Sequence, residues 1–308
     1  MAFTLNMTAV ANVDDSIVKA YDQQFIISSA QQMVMDQMAT YRASINAKSI
    51  EFPKYAKLAL ATTPLDEDDD VTSSALSDSQ IILTPAEYGA VVTRTNLASL
   101  QTGGKVDLAA AKLVGINMGE TLDKLALLAL DASTNVATVT GGAESALVAT
   151  DVMTVSFLNK MYNKLQRANV PKLSDGLYVA VLHPDVILDL INSASAGSWV
   201  DINKYSKPES VLMNEIGTLC GFKIVVDSHA FINPDGGNLL VDTYYSYFMG
   251  FNAFGKAVSQ PEQMVISGPY DKLSRFLNLG FKACLQYKII DQDALWVGIS
   301  ASSVGENV

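Results

Sequence analysis

Histidine, cysteine and tryptophan are almost missing from this chain: two of each stand among 308 residues. Cys220 and Cys284 lie far apart, and neither belongs to a Cys-x-x-Cys or mixed Cys/His cluster. That excludes a disulfide framework and the usual zinc spacings, so the pair reads as reduced core cysteines. With His183 and His229 alone, a serine or cysteine triad would have to use one of them as its base. The glycine loops that cradle phosphates are missing too. Neither G-x-G-x-x-G nor G-x-x-x-x-G-K-[ST] occurs, and Gly103-Gly104-Lys105 lacks both the first glycine and a buried strand ahead of it. His-Glu-x-x-His is absent. Positive charge is short as well: 21 Lys and Arg face 32 Asp and Glu, a formal net charge of −11. This balance repels nucleic acid at long range and argues against gripping DNA as the primary task. Enclosing DNA behind a weakly repulsive wall is compatible with it.

Long uninterrupted apolar runs are also lacking. The most apolar helical stretch, 108–130, holds Lys112, Glu120, Asp123 and Lys124, which rules out a conventional membrane span. Residues 1–12 are mixed and Asp14-Asp15 follow, so no signal peptide is read there. The expectation is a soluble protein, intracellular when made. Its 49% hydrophobic content is ample for a core in one large domain or roughly two to three small ones.

What the chain does have is length in its elements. Leu277, Leu279, Phe281, Ala283, Leu285, Tyr287 and Ile289 alternate with Asn278, Gly280, Lys282, Cys284, Gln286 and Lys288. Strand side chains switch faces at every residue, so this run has one buried and one wetter face. It extends about 40 Å, twice the usual strand. After the turn signal Asp291-Gln292-Asp293, Leu295, Val297 and Ile299 resume the alternation, and a long two-stranded ribbon is expected. Asp107 is placed to cap a helix over 108–130, with Leu108, Ala111, Val114, Met118, Leu122, Leu125 and Ala129 on one stripe. That helix would run about 35 Å, long enough to lie beside the strand.

Residues 1–48 read as an arm, with a Gln- and Met-rich piece at 31–38 suited to a helix that needs a partner surface. The partner is either a neighbouring subunit or the chain's own domain. Residues 50–97 read as a long projecting hairpin, its extended flanks limited to edges or ends by Pro53, Pro64 and Pro85. Its solvated part carries Asp66, Glu67, Asp68, Asp69 and Asp70. Their spacing resembles a calcium loop, but the required glycine and the distal glutamate are missing, so contact with a basic patch on a neighbour is the better reading.

Residues 136–260 have shorter elements. A helix over 154–169 ends at Pro171, a buried strand covers 177–182, and His183-Pro184-Asp185 turns into a helix around 186–191. Strands follow at 222–226 and at 243–253, the latter with Tyr244, Tyr245, Tyr247, Phe248 and Phe251. No Lys or Arg interleaves these aromatics, so they suit a sheet core or subunit contact better than base stacking. His183 sits where open α/β sheets place catalytic groups, yet a histidine beside an ordinary Pro-Asp helix start is the commoner event. No catalytic, cofactor or metal residue is assigned.

The order of parts resembles a tailed-phage major capsid protein of the Hong Kong 97 coat fold. Ala86-Glu87-Tyr88-Gly89-Ala90-Val91-Val92 followed by the 108–130 helix resembles that family's hairpin return strand and spine helix. Val179-Ala180-Val181-Leu182-His183-Pro184-Asp185 looks like its lobe strand and turn. The stretch Asn214-Glu215-Ile216-Gly217-Thr218-Leu219-Cys220-Gly221-Phe222-Lys223-Ile224-Val225-Val226 is similar to the E-I-G-x-x-x-G-F-x-V-V segment of the branch containing N-four-like phages.

The resemblance implies an α+β fold divided into an N-terminal arm (1–48), an extended loop (49–100), a peripheral domain with the spine helix (101–135), an axial α/β domain (136–260) and peripheral return strands (261–308). It implies a non-enzymatic shell subunit, with no cofactor, forming hexamers and pentamers of an icosahedral head around double-stranded DNA. Scaffolding, portal and cement proteins are the implied partners, the virion the implied location and the host cytoplasm the place of assembly. Inter-subunit contact candidates are Asp66, Glu67, Asp68, Asp69, Asp70, Lys54 and Lys57. Some relatives cross-link a hairpin lysine to an asparagine, but no activating glutamate or acceptor asparagine is assigned beside Lys54 or Lys57. The alternatives are an encapsulin-like compartment shell and a small α/β hydrolase using His183.

Overall fold

Strand and helix periodicities separate in the described residues into two large sheets, a two-stranded hairpin and four helices, one of them long. The computed structural model describes residues 33–44, 48–62, 64, 67–68, 70, 73–102, 105–192, 217–269, 271–273 and 275–304. In the first half come β1 (Thr40–Ala43), β2 (Ile50–Tyr55), β3 (Asp78–Leu83), β4 (Ala86–Thr95), α1 (Asn96–Thr102), α2 (Lys105–Asp131), β5 (Val136–Thr138) and α3 (Val155–Arg167). The second half holds β6 (Tyr178–Leu182), α4 (Pro184–Asn192), β7 (Thr218–Leu219), β8 (Phe222–Val226), β9 (Ile232–Asn233), β10 (Thr243–Met249), β11 (Phe254–Ser267), β12 (Phe276–Ile289) and β13 (Leu295–Ser300). The α+β character expected from the sequence is what the fold has.

One sheet has four strands in the order β1-β11-β12-β4. The expected long strand is β12, whose 14 residues extend about 45 Å. Leu279, Phe281, Ala283, Leu285 and Tyr287 are buried, and the last four share a core with Val114, Met118 and Leu122 of α2. The alternation is therefore real, but the ribbon is not. β12 pairs antiparallel with β11 on one side and with β4 on the other, whereas β13 joins the second sheet against β10. The short connection after Ile289 redirects the chain, and Ile290 and Asp291 both donate backbone N–H bonds to the Ala253 carbonyl. β11 carries register shifts around Pro261, a residue that cannot donate to a ladder and so settles at an irregularity. The expected boundary at residue 260 falls inside this strand.

Helix α2 spans 27 residues, about 40 Å. It begins before Asp107, which is therefore in the first turn rather than the cap. Its carboxylate takes Arg94 Nε at 2.7 Å and the Ser99 hydroxyl at 3.0 Å, tying the end of β4 to the helix start. The apolar stripe is buried from Ala111 through Leu122; farther along, Leu125 and Ala129 remain partly buried against the core while Ala126, Leu127 and Leu130 are its fully buried members. Leu108 is 49% exposed. The stripe shifts because a helix of 3.6 residues per turn rotates its face along its length.

The second sheet has the order β5-β13-β10-β6-β8-β7, with β9 on β10. β6 is buried at all five positions, as its unbroken apolar run requires. Thr154 caps α3 by accepting the Phe157 amide at 3.3 Å. β7 and β8 form a tight hairpin whose turn residues, Cys220 and Gly221, have φ of 51° and 79°. A side chain at 221 would also come within 2.4 Å of the Tyr162 ring. That explains the glycine in the Gly221-Phe222 pair; Asn214, Glu215 and Ile216 of the same motif lie outside the described residues, as do residues 1–32.

Candidate functional site

The hairpin that carries the candidate contact residues is shorter than the sequence predicts. β2 and β3 pair from Ile50↔Leu83 to Tyr55↔Asp78, while β4 belongs to the four-stranded sheet. The hairpin is anchored at its root by its own small core of Ile50, Phe52, Leu83, Ala257 and Ile290. Gly255 makes room there, since a Cβ would lie 2.5 Å from Ile290 Cδ1 and 3.0 Å from Phe52 Cζ. Polar clamps surround the root. Lys54 Nζ donates to Asp291 Oδ1 at 2.8 Å, the Thr84 amide donates to Gln286 Oε1 at 2.6 Å, and Lys288 Nζ donates to the Ile82 carbonyl at 3.2 Å.

Beyond the root the hairpin is uncovered. Tyr55, Leu58, Leu60 and Leu76 are exposed, Leu60 by 87%. Lys57, Glu67, Asp68 and Asp70 are exposed as well; Asp66 and Asp69 lie outside the described residues. Of the sequence-derived contact candidates, then, Lys54 is engaged inside the subunit, while Lys57, Glu67, Asp68 and Asp70 stand on the projecting part. The apolar members were missed. Their signal was Leu58 and Leu60 in an extended stretch between Pro53 and Pro64, with no apolar partner strand to cover them.

A second uncovered surface is β4, the outer strand of its sheet. Val91 and Val92 are exposed, and an edge strand presents unpaired N–H and C=O groups. β12, by contrast, is paired along both edges. Its wetter face makes contacts within the subunit, including Lys282 Nζ to Glu87 Oε1 at 2.6 Å. Both edges of β12 are thus taken within the subunit, and β4 is left as an edge of the four-stranded sheet.

The root of the arm is a third feature. Instead of a helix, residues 36–38 form one 3-10 turn, and Thr40–Ala43 continues as β1 parallel to β11. The cause is polar anchoring. Asp123 of α2 accepts the amides of Val34 at 3.1 Å and Met35 at 2.7 Å, which removes them from helical bonding. Met35 is fully buried. Asp36 Oδ1 pairs with Lys256 Nζ at 2.7 Å and also accepts the Tyr287 hydroxyl, while Lys256 reaches Glu262. Burial works against the Lys256 charge, but Asp36 and Glu262 outweigh it and hold its pKa above the ordinary value. The Asp123 carboxyl is raised as well, here mainly by burial: Asp227 adds repulsion, and the Met35 amide pulls against both.

His183 is engaged structurally. Its Nδ1 accepts the Asp185 amide at 3.2 Å, its carbonyl accepts the Ile187 amide at 3.1 Å, and its ring lies 5.2 Å from that of Tyr244. Burial lowers its pKa. These bonds shape the turn into α4. A cleft of about 760 Å³ between α3 and the 136–144 segment has Lys160, Lys164 and Arg167 on one wall. Its acidic wall is occupied: Glu144 accepts Asn233 Nδ2 at 2.9 Å, the Thr243 hydroxyl at 2.5 Å and the Tyr245 hydroxyl at 3.0 Å. Among the described residues no helix is long and apolar enough to cross a membrane.

No protein-family model matches the sequence, and no curated protein does. Solved structures do. The capsid asymmetric unit of cyanophage Pam1 is similar at 14% identity and a TM-score of 0.69, over 90% of this chain and 92% of that one. The capsid of Ralstonia phage GP4 is similar at 14% identity and a TM-score of 0.69, over 86% and 87%. A virus-like particle from Pyrococcus furiosus is similar at 12% identity and a TM-score of 0.58, over 91% of this chain and 98% of that one. With its projecting hairpin, long helix over a sheet and seven-stranded lobe, this chain has the Hong Kong 97-like fold of tailed-phage capsid subunits.

Proposed function

We propose that the chain is a tailed-phage major capsid protein whose copies assemble into hexamers and pentamers of an icosahedral head around double-stranded DNA. The observation that carries this reading is the near-complete, two-way coverage of phage capsid subunits by a chain of this fold. The uncovered hairpin supports it, because Leu58, Leu60 and Leu76 gain nothing from exposure unless another surface covers them. In the shell, residues 1–48 act as the arm and the projecting hairpin clasps a neighbour. The long helix and four-stranded sheet form the periphery, and the seven-stranded lobe stands at the capsomer centre. Lys57 and the acidic run at 66–70 make adjustable electrostatic contacts, while Lys54 serves the hairpin root. Multivalency lets modest contacts suffice. Scaffolding, portal and cement proteins are the partners, and the shell assembles in the host cytoplasm and ends in the virion.

An encapsulin-like compartment is the neighbouring reading. The Pam1 and GP4 phage subunits fit better, with TM-scores of 0.69 against 0.58 for the Pyrococcus particle. Electron microscopy of the purified full chain, alone and with scaffolding protein, tests the proposal. Closed particles tens of nanometres across are expected, and protein that stays monomeric under both conditions overturns it. Particles recovered from infected cells with DNA and a portal vertex support the phage head, and particles filled with an enzyme overturn it for the compartment.

A further inference from the structure

Two buried carboxylates converge where the root of the arm meets the long helix. Asp123 is 0% exposed and Asp227 2% exposed. Asp123 spends Oδ1 on the Val34 and Met35 amides, and Asp227 spends Oδ1 on the His229 amide at 2.8 Å. The other oxygen of each, Oδ2, is buried and meets no N–H or O–H donor of another side chain among the described residues; the two carboxyl groups face each other instead. His229 faces both: its Nδ1 lies 3.7 Å from Asp123 Oδ2 and 3.5 Å from Asp227 Oδ1. One ligand atom from each of the three residues falls within 4.8 Å of the others. Nothing in the capsid reading calls for such a group, because unpartnered buried carboxylate oxygens are costly and ordinary cores avoid them.

We propose that Asp123, Asp227 and His229 bind a divalent transition-metal ion of the zinc or manganese class, which fastens the arm root to the long helix and to the turn after β8. The donor set decides the class. An imidazole nitrogen with carboxylate oxygens suits zinc, manganese or cobalt, whereas calcium and magnesium select oxygen alone. The spacing agrees. Ligands bonded at about 2.0–2.2 Å around one ion stand roughly 3.0–3.5 Å apart; His229 Nδ1 is 3.7 Å from Asp123 Oδ2 and 3.5 Å from Asp227 Oδ1, the oxygen that also accepts the His229 amide, and all three ligand atoms lie within 4.8 Å of one another, so the ligands must draw in modestly. Charge agrees too, since one divalent cation neutralises two carboxylates. The His229 side chain is partly exposed, which leaves an entry path and room for a water ligand. The ion would join residues far apart in sequence: Asp123 already holds the amides of residues 34 and 35, and Asp227 and His229 come from the lobe.

Purified full-length protein, stripped with a chelator, is titrated with zinc, manganese or cobalt alone. Saturation at one ion per chain is expected, with a rise in Tm that stops at one equivalent and a visible cobalt spectrum of a low-coordinate site. His229→Ala, at the partly exposed position, should keep the fold by circular dichroism, weaken binding by about tenfold or more and abolish that spectrum. Asp227→Asn should do the same if it folds. Absence of stoichiometric binding in the wild type overturns the proposal, as does unchanged binding in a folded His229→Ala variant. These readouts need no particle, so their failure is distinguishable from failure of the capsid reading.

Discussion

Single positions carry unequal weight in this molecule. Leu279 is fully buried on β12. Leu279→Asp places an unpaired carboxylate there, a cost comparable with the whole stability of a domain. Soluble expression should be lost, and wild-type yield would contradict the buried face. Gly221 is constrained by conformation instead. Its φ is +79° and a Cβ would press on Tyr162, so Gly221→Ala should cost about 1–3 kcal/mol, measured as a lower denaturant midpoint at unchanged slope. The same residue shows what was readable in advance. The Gly-Phe pair was visible, but its reason, a left-handed turn against an aromatic ring, depends on a partner 59 positions earlier. Asp123, Asp227 and His229 were less legible still. Asp123 stood out only as a charge that forbids a membrane span and His229 only as a spare base, while nothing in the sequence singled out Asp227. Nothing in their spacing announced that folding brings them together.

At the level of elements, periodicity was a good guide to what forms and a poor guide to what pairs. The 277–289 alternation, the run at 177–182, the helix over 154–169 and the strand at 222–226 all appear within about two residues of where the pattern puts them. Pairing failed at two joints. The 295–299 segment continues the β12 alternation but joins the lobe sheet, and the 86–95 strand follows β3 but lies on β12. Two strands with the same pattern are interchangeable in sequence, and only long-range packing selects the neighbour. The hairpin root offers a test at this scale. Phe52→Ala should cost about 3 kcal/mol, the low end for a buried phenylalanine because the root core is small. Limited proteolysis should then cut within residues 50–83 while the main thermal transition stays near its wild-type position. Replacing residues 66–70 by Asn or Ser should leave the fold intact and weaken or mis-size assembly. Particles that stay unchanged across a salt titration would remove the acidic run from that role.

Over the whole molecule, the net charge of −11 sets behaviour toward nucleic acid. In a mobility-shift assay at about 0.15 M salt the isolated chain should not retain DNA, because few phosphate contacts are available to release counterions. Tight, salt-sensitive retention would instead mark a DNA-gripping surface. The separation of cores has a mechanical consequence. The lobe, long helix and four-stranded sheet draw on one continuous cluster of buried side chains, so bending the body anywhere disturbs packing everywhere in it. The hairpin draws on a different, much smaller set at its root. Compliance therefore resides in the appendage, and the body keeps its shape. A single sequence occupying sites of unequal curvature would absorb the mismatch by swinging the hairpin about Phe52 and Gly255, as a tile keeps its face while its clip flexes.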